Sequence, residues 1–400
     1  MATAQHFNVL VIGAGSAGVS VAARLRRKGV DRIGLLDPSD THYYQPLFTL
    51  VGAGRASASE TTRPMASVIP KGVAWVQDGA ESVDPDAHTV TTTKGAILGY
   101  DQLVVAPGIQ LDWDTVPGMS EALTTVPVTS NYRLDLAPRT WANIQAMTSG
   151  TAVFTMPSAP IKCAGAPQKI AYLASDYWRQ QGVNDRIRKV LVLPTPGMFG
   201  VPVFAKELER VAAHYGIEVR FNSEAVEIDA DGRGVVVADN AAGTKETIDY
   251  DLLHVVPPQS APDWIKAGPL AAADNPGGYV EVDQYTLQHT RYPDVFSLGD
   301  AGSTPNSKTG AAVRHQAPVL VENLLAHRAG RPLEARYDGY ASCPLTTSRN
   351  KVLLAEFDYT MEPHPSFPLI DTTKERRDMW WLKRTGLPAM YWNLMLKGLA

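Results

Sequence analysis

Phe7-Asn8-Val9-Leu10-Val11-Ile12-Gly13-Ala14-Gly15-Ser16-Ala17-Gly18 is the stretch whose reading decides the fold. Asn8 to Ile12 reads as a buried strand, and Val19 to Arg27 as an amphipathic helix. The turn between them is G-x-G-x-x-G. Gly13 permits the tight bend, Gly15 lets backbone approach a pyrophosphate at the helix N-terminus, and Gly18 lets helix and strand pack closely. A second strand, Arg32 to Leu36, ends in Asp37, placed to accept hydrogen bonds from an adenosine ribose. Three glycines alone are a weak signal; strand, glycines, helix, strand and acid in that order predict an α/β chain with a dinucleotide-binding domain.

The middle of the chain repeats this outline without its chemistry. Lys189 to Pro194 reads as a strand, Val203 to His214 as a helix and Glu218 to Phe221 as a strand, which predicts a second Rossmann-like unit. Its loop, Thr195-Pro196-Gly197-Met198-Phe199-Gly200-Val201-Pro202, puts prolines and two bulky apolar side chains where a glycine cradle would hold a pyrophosphate. A nicotinamide nucleotide has no seat there, so the second nucleotide site is expected to be degenerate.

Composition narrows the classes. A chain of 400 residues, 44% of them hydrophobic, has ample core for more than one lobe. A net charge of -4 without a long basic tract excludes nucleic acid as the main partner. No run of eighteen apolar residues occurs, so no segment is expected to span a bilayer, and no metal site is predicted. The first strand begins almost at the N-terminus, which leads us to expect no signal peptide and a cytoplasmic chain.

The only thiols are Cys163 and Cys343, too few for a disulfide scaffold. Two readings stand, redox chemistry at sulfur or inert buried side chains. Cys163 lies in Ile161-Lys162-Cys163-Ala164-Gly165-Ala166-Pro167-Gln168-Lys169, where Pro167 can open a helix running from Ile170 to Arg179. A thiol just before a helix N-terminus and beside a lysine favours thiolate.

Two further segments resemble those of flavoproteins with two dinucleotide-binding domains. Gly99-Tyr100-Asp101-Gln102-Leu103-Val104-Val105-Ala106-Pro107-Gly108 looks like their strand and turn back to the FAD domain. Tyr292-Pro293-Asp294-Val295-Phe296-Ser297-Leu298-Gly299-Asp300-Ala301 looks like their late motif, whose aspartate binds the ribityl chain. A helix predicted from Val313 to Ala326 follows, and amides at its start would favour the charge of reduced flavin.

Across nearly its whole length the chain resembles the sulfide:quinone oxidoreductases, in the branch that includes the mitochondrial-type enzymes. The carrying segments include Thr41-His42-Tyr43-Tyr44-Gln45-Pro46-Leu47-Phe48, the Cys163 segment, Tyr337-Asp338-Gly339-Tyr340-Ala341-Ser342-Cys343-Pro344-Leu345, Leu353-Leu354-Ala355-Glu356-Phe357-Asp358-Tyr359 and Met390-Tyr391-Trp392-Asn393. The resemblance implies that Cys163 and Cys343 are the catalytic pair, resting as a disulfide or sulfur-bridged pair over FAD. Hydrosulfide would attack it, Cys343 taking the sulfide sulfur and Cys163 facing the flavin, with the persulfide sulfur passing to glutathione, sulfite or more sulfide, and electrons passing to a quinone. FAD would be noncovalent, with no third cysteine to link it. It would be held at Gly13, Ala14, Gly15, Gly18, Asp37, Gln45, Pro107, Gly108, Lys169, Asp300 and the helix start at Gly310, Ala311, Ala312 and Val313. His42 and His315 read as structural histidines or as proton-transfer groups, Glu356 as a solvated or relay carboxylate near the second cysteine. Related periplasmic sulfide dehydrogenases that use a haem partner are a poorer match. NADH:quinone oxidoreduction on the same scaffold and a non-catalytic flavin redox sensor are the competing functions.

The expected organisation is an FAD domain in two parts, 1–110 and 286–330, a second Rossmann-like domain at 111–285 carrying the first cysteine, and a C-terminal region at 331–400 carrying the second. In that last region Lys374 to Arg384 and Ala389 to Leu399 are basic, aromatic and methionine-rich, separated by Gly386-Leu387-Pro388. Two interfacial helices broken by a turn would suit a membrane surface, giving peripheral attachment to the cytoplasmic face of the inner membrane. Packing on the protein's own core, or a homo-oligomer contact, are the other readings of this tail. Phe357, Tyr359 and Trp381 are the expected quinone contacts.

Overall fold

The computed structural model describes residues 5–158 and 160–400, and its parallel strands sort into two sheets, each seeded by one strand–turn–helix unit. In the first, Gln5–Ile12 lies between Ile33–Leu36 and Ile97–Val105, with Ala74–Val76 outside the former and Val295–Ser297 outside the latter. Val9, Leu10 and Val11 are all fully buried, as both faces of such a strand are covered. The late motif thus returns to the sheet built by the first hundred or so residues. Helix Ser16–Arg27 lies hard against the first turn: a Cβ on Gly18 would come within 1.8 Å of the Gly13 carbonyl oxygen.

The second sheet runs Val128–Thr129, Leu252–His254, Gly150–Thr155, Ile187–Val192 and Ile217–Arg220, all parallel. Helix Pro202–Tyr215 connects its last two strands, so the predicted unit exists with slightly shifted ends. Pro194 falls outside its strand, having no amide to give a ladder. The loop between is filled by the chain itself. Met198 and Val201 are buried, the Phe199 ring meets Phe204 and Phe357 edge-on at 5.9 and 5.5 Å, and Gln168 Nε2 donates to the Met198 carbonyl at 2.6 Å.

An antiparallel hairpin, Ala341–Ser348 with Lys351–Phe357, packs across helix Ala166–Gln180. The tail departs from expectation. No turn interrupts it at Gly386-Leu387-Pro388: Arg377–Trp381, a wide π turn at Leu382–Gly386 and Leu387–Asn393 form one helical path. Pro388, which has no amide to give the preceding turn, stands directly after the wide π turn. Tyr391, Trp392, Met395 and Leu396 bury themselves in the main core, while Trp381, Leu394 and Leu399 stay exposed.

Candidate active site

Helix Ala166–Gln180 begins three residues after Cys163 with Pro167 in its first turn. Just before it the chain passes through Cys163 at φ 49°, a left-handed conformation that costs a residue with a Cβ. Backbone contacts hold it there. The Cys163 amide donates to the Lys308 carbonyl at 2.9 Å, the Ala166 amide donates to the Cys163 carbonyl at 2.7 Å, and the Tyr132 hydroxyl donates to the Lys162 carbonyl at 3.0 Å. The Lys308 ammonium in turn donates to the carbonyls of Asp300 and Gly302 at 2.8 and 2.9 Å, tying the cysteine turn to the late motif.

Cys343 arrives on the hairpin, opposite Ala355, and its sulfur lies 3.9 Å from that of Cys163. Gly165 makes this approach feasible: a Cβ there would sit 2.8 Å from Cys343 Sγ and 2.4 Å from Leu345 Cδ2. Lys169, buried on the same helix, places Nζ 3.0 Å from Cys163 Sγ. The Cys163 thiol is held well below the ordinary thiol range, first by the hydrogen bond from Cys343 and then, against burial, by the Lys169 charge. The same hydrogen bond, with burial, pushes Cys343 well up. Burial opposes the charge on Lys169, but the two sulfurs outweigh it and its pKa is raised. One thiolate and one thiol, with a paired cation, is the arrangement thiol–disulfide exchange needs.

A cavity of about 480 Å³ opens beside Cys163. Gly15, Gln45, Pro107 and Gly108 line it from the first sheet's loops, Asp300, Gly310, Ala311 and Val313 from the late motif and following helix, and Lys169 beside the cysteine. A Cβ on Gly15, Gly108 or Gly310 would meet nothing within 4 Å, so three loops present bare backbone to open space. Helix Ser16–Arg27 has no side-chain cap on its first amides, and helix Gly310–Arg328 aims its start at the same cavity. Such a cradle fits FAD: free amides at one helix start suit a pyrophosphate, and a second helix start suits the anionic reduced ring.

The remaining expected cofactor residues, Gly13, Ala14, Gly18, Asp37 and Ala312, shape the loops around the cavity. Gly13 and Gly18 are demanded by close packing, since a Cβ on Gly13 would lie 2.3 Å from the Ala106 oxygen. Ala14 donates its amide to Asp37 Oδ2 at 2.6 Å while Ser39 donates to Oδ1 at 2.8 Å, so Asp37 braces the glycine turn. Ala312 faces the core, its amide taken by Thr309 Oγ1.

His42 bridges the Ala14 carbonyl at 2.9 Å and the Tyr391 hydroxyl at 2.6 Å, and burial lowers its pKa to about 4. His315 stacks on Tyr340 at 4.0 Å, and burial lowers it likewise to about 4. Glu356 pairs with Ser342 in the hairpin register, one residue out of step with Cys343. Because side chains alternate along a strand, it faces away from the second cysteine and into the cavity. The expected quinone contacts are not brought together there. Phe357 packs on Phe199, Tyr359 packs on Tyr337 and donates to the Gln284 carbonyl, and Trp381 points to solvent. The cavity's apolar end is made by Leu354, Phe367, Leu382, Leu387 and Met390 instead. Two lysines of the cavity wall had no local signal: Lys308 and Lys383. Burial lowers Lys308 and Lys383 to about 8.

Two sheets built around parallel strands, a cradle for FAD and a cysteine pair on its wall define a flavoprotein of the pyridine nucleotide-disulphide oxidoreductase class, and the family model of that description matches residues 7–150. Among curated proteins, a mitochondrial sulfide:quinone oxidoreductase of Mus musculus is 40% identical over 398 residues, 98% of this chain and 87% of the relative. That of Dictyostelium discoideum is 42% identical over 393 residues, 98% of this chain and 86% of the relative. The X-ray structure of the Aquifex aeolicus sulfide:quinone oxidoreductase shares the fold, with a TM-score of 0.80 at 21% identity, covering 98% and 92% of the two chains. The chain belongs to the sulfide:quinone oxidoreductase family and is an FAD-binding oxidoreductase. Among the described residues, no helix is long and apolar enough to cross a membrane.

Proposed function

We propose that this chain oxidises hydrogen sulfide and passes the electrons through FAD to a quinone, handing the sulfur to an acceptor such as glutathione, sulfite or further sulfide. The observation that carries this reading is the cysteine pair, 3.9 Å apart beside the cofactor cavity with Lys169 on one sulfur. Starting from the disulfide, hydrosulfide attacks Cys343 Sγ, forming a persulfide there and releasing Cys163 as thiolate. Lys169, 3.0 Å away, stabilises the negative sulfur as it appears. An acceptor nucleophile then removes the outer sulfur, and return of the two thiolates to the disulfide releases two electrons. FAD, held at the cradle that Gly15, Gly108 and Gly310 line, would supply the acceptor for that electron pair and its route to quinone.

The filled loop at Met198 and Phe199 disfavours NADH as donor. Exposed Trp381, Leu394 and Leu399 on the tail suit contact with a membrane surface, from which a lipid-soluble quinone would enter. Anaerobic titration of the holoenzyme tests the whole: sulfide should bleach the flavin, a short-chain quinone should restore it, and NADH should leave it oxidised. Bleaching by NADH and not by sulfide would overturn the reading.

A further inference from the structure

The hairpin that carries Cys343 separates two environments. Cys343 and Leu345 face Gly165 and the thiol partner. Ser342, Pro344, Leu354 and Glu356, one step out of phase, line the cavity together with Leu382 and Leu387 of the tail. Glu356 is buried with both carboxylate oxygens engaged. The Tyr340 hydroxyl donates to Oε1 at 2.6 Å and the Ser366 amide donates to Oε2 at 3.1 Å. Ser366 is exposed, and its hydroxyl lies 3.3 Å from the Tyr340 oxygen. Solvent, Ser366, Tyr340 and Glu356 therefore form one hydrogen-bonded line that ends inside the cavity. His315, stacked on Tyr340, holds that ring in place.

Building on the quinone reading above, we propose that Glu356 is the proton donor to the quinone, resupplied from solvent through Tyr340 and Ser366. Reduction of a quinone to a quinol takes two electrons and two protons. Reduced FAD, when bound, would supply the electrons and one proton; the other proton passes from the Glu356 carboxylic acid to a quinone oxygen. The carboxylate so formed takes the Tyr340 hydroxyl proton, and Tyr340 takes one from Ser366, whose hydroxyl is refilled by water. Proton donation from a positioned side chain typically contributes about 10²–10⁴-fold. The line serves the side of the hairpin away from the thiols, so sulfur chemistry and quinone chemistry draw on different proton carriers.

The test reduces the holoenzyme anaerobically with dithionite, which bypasses the cysteines, and follows flavin reoxidation by a short-chain quinone and by ferricyanide, which accepts electrons without protons. In Glu356→Gln, reoxidation by quinone should slow on the order of a hundredfold relative to reoxidation by ferricyanide. Tyr340→Phe should slow it less, Glu356→Asp should recover part of the rate, and the wild-type quinone reaction should show a solvent deuterium effect that the Gln variant loses. Equal slowing with both oxidants, or none with quinone, would overturn the assignment. Failure of sulfide to reduce the wild-type flavin would instead sink the sulfide reading and leave this result standing by itself.

Discussion

Cys163 and Cys343 are the same side chain in opposite settings. Cys163 sits in a left-handed turn at the cavity wall, with a helix start behind it and Lys169 at 3.0 Å. Cys343 lies mid-strand in a buried hairpin, and its pKa moves up while that of Cys163 moves down. Reactivity at sulfur is thus set by where the backbone carries each thiol: one is prepared as a thiolate leaving group, the other as the sulfur that is attacked.

The most severe way to break this comparison is to remove either sulfur. Cys163→Ser and Cys343→Ser should each reduce sulfide-driven flavin bleaching to background while FAD stays bound, as read by absorbance; an active single variant would show that no disulfide is involved. Next comes the charge. A thiol with a depressed pKa stays reactive as pH falls until that pKa is passed, so alkylation of Cys163 in the reduced enzyme should stay fast at pH values where an ordinary thiol has slowed. Lys169→Met removes the adjacent cation and should move the fall-off upward by about 1–3 pH units. Lys383 acts on the same sulfur more weakly, so Lys383→Met should move it less. Identical profiles for the three proteins would mean that Lys169 does not tune Cys163. The smallest effect concerns spacing. Gly165→Ala places a Cβ 2.8 Å from Cys343 Sγ, and the crowding should cost about 1–3 kcal/mol in denaturant unfolding while slowing formation of the disulfide.

Local features were legible in the chain itself. The glycine turn, its flanking strand and helix, and the degenerate second loop all depend on residues within a few positions of one another, where sterics and hydrogen bonding act directly. The helix behind Cys163 was readable from Pro167 for the same reason. Resemblance to a family supplied the roles of the cysteines; Phe357, expected at the quinone, does not line the cavity, because an aromatic residue in sequence says nothing of which side of a strand it faces. Phe357 follows Glu356 directly, yet one lines the cavity and the other packs on Phe199.

By itself, then, the sequence determined the two nucleotide-binding outlines, the capacity of one to hold FAD and the presence of two thiols to react. The tertiary structure alone decided that those thiols meet at 3.9 Å, and that Lys383 is buried in the cavity wall. It also decided that the tail packs Tyr391 and Trp392 into the main core, and that Glu356 and Cys343 stand on opposite faces of one hairpin. Each of these joins residues far apart in the chain, where only the register of a hairpin and the packing of its faces can bring groups together or hold them apart.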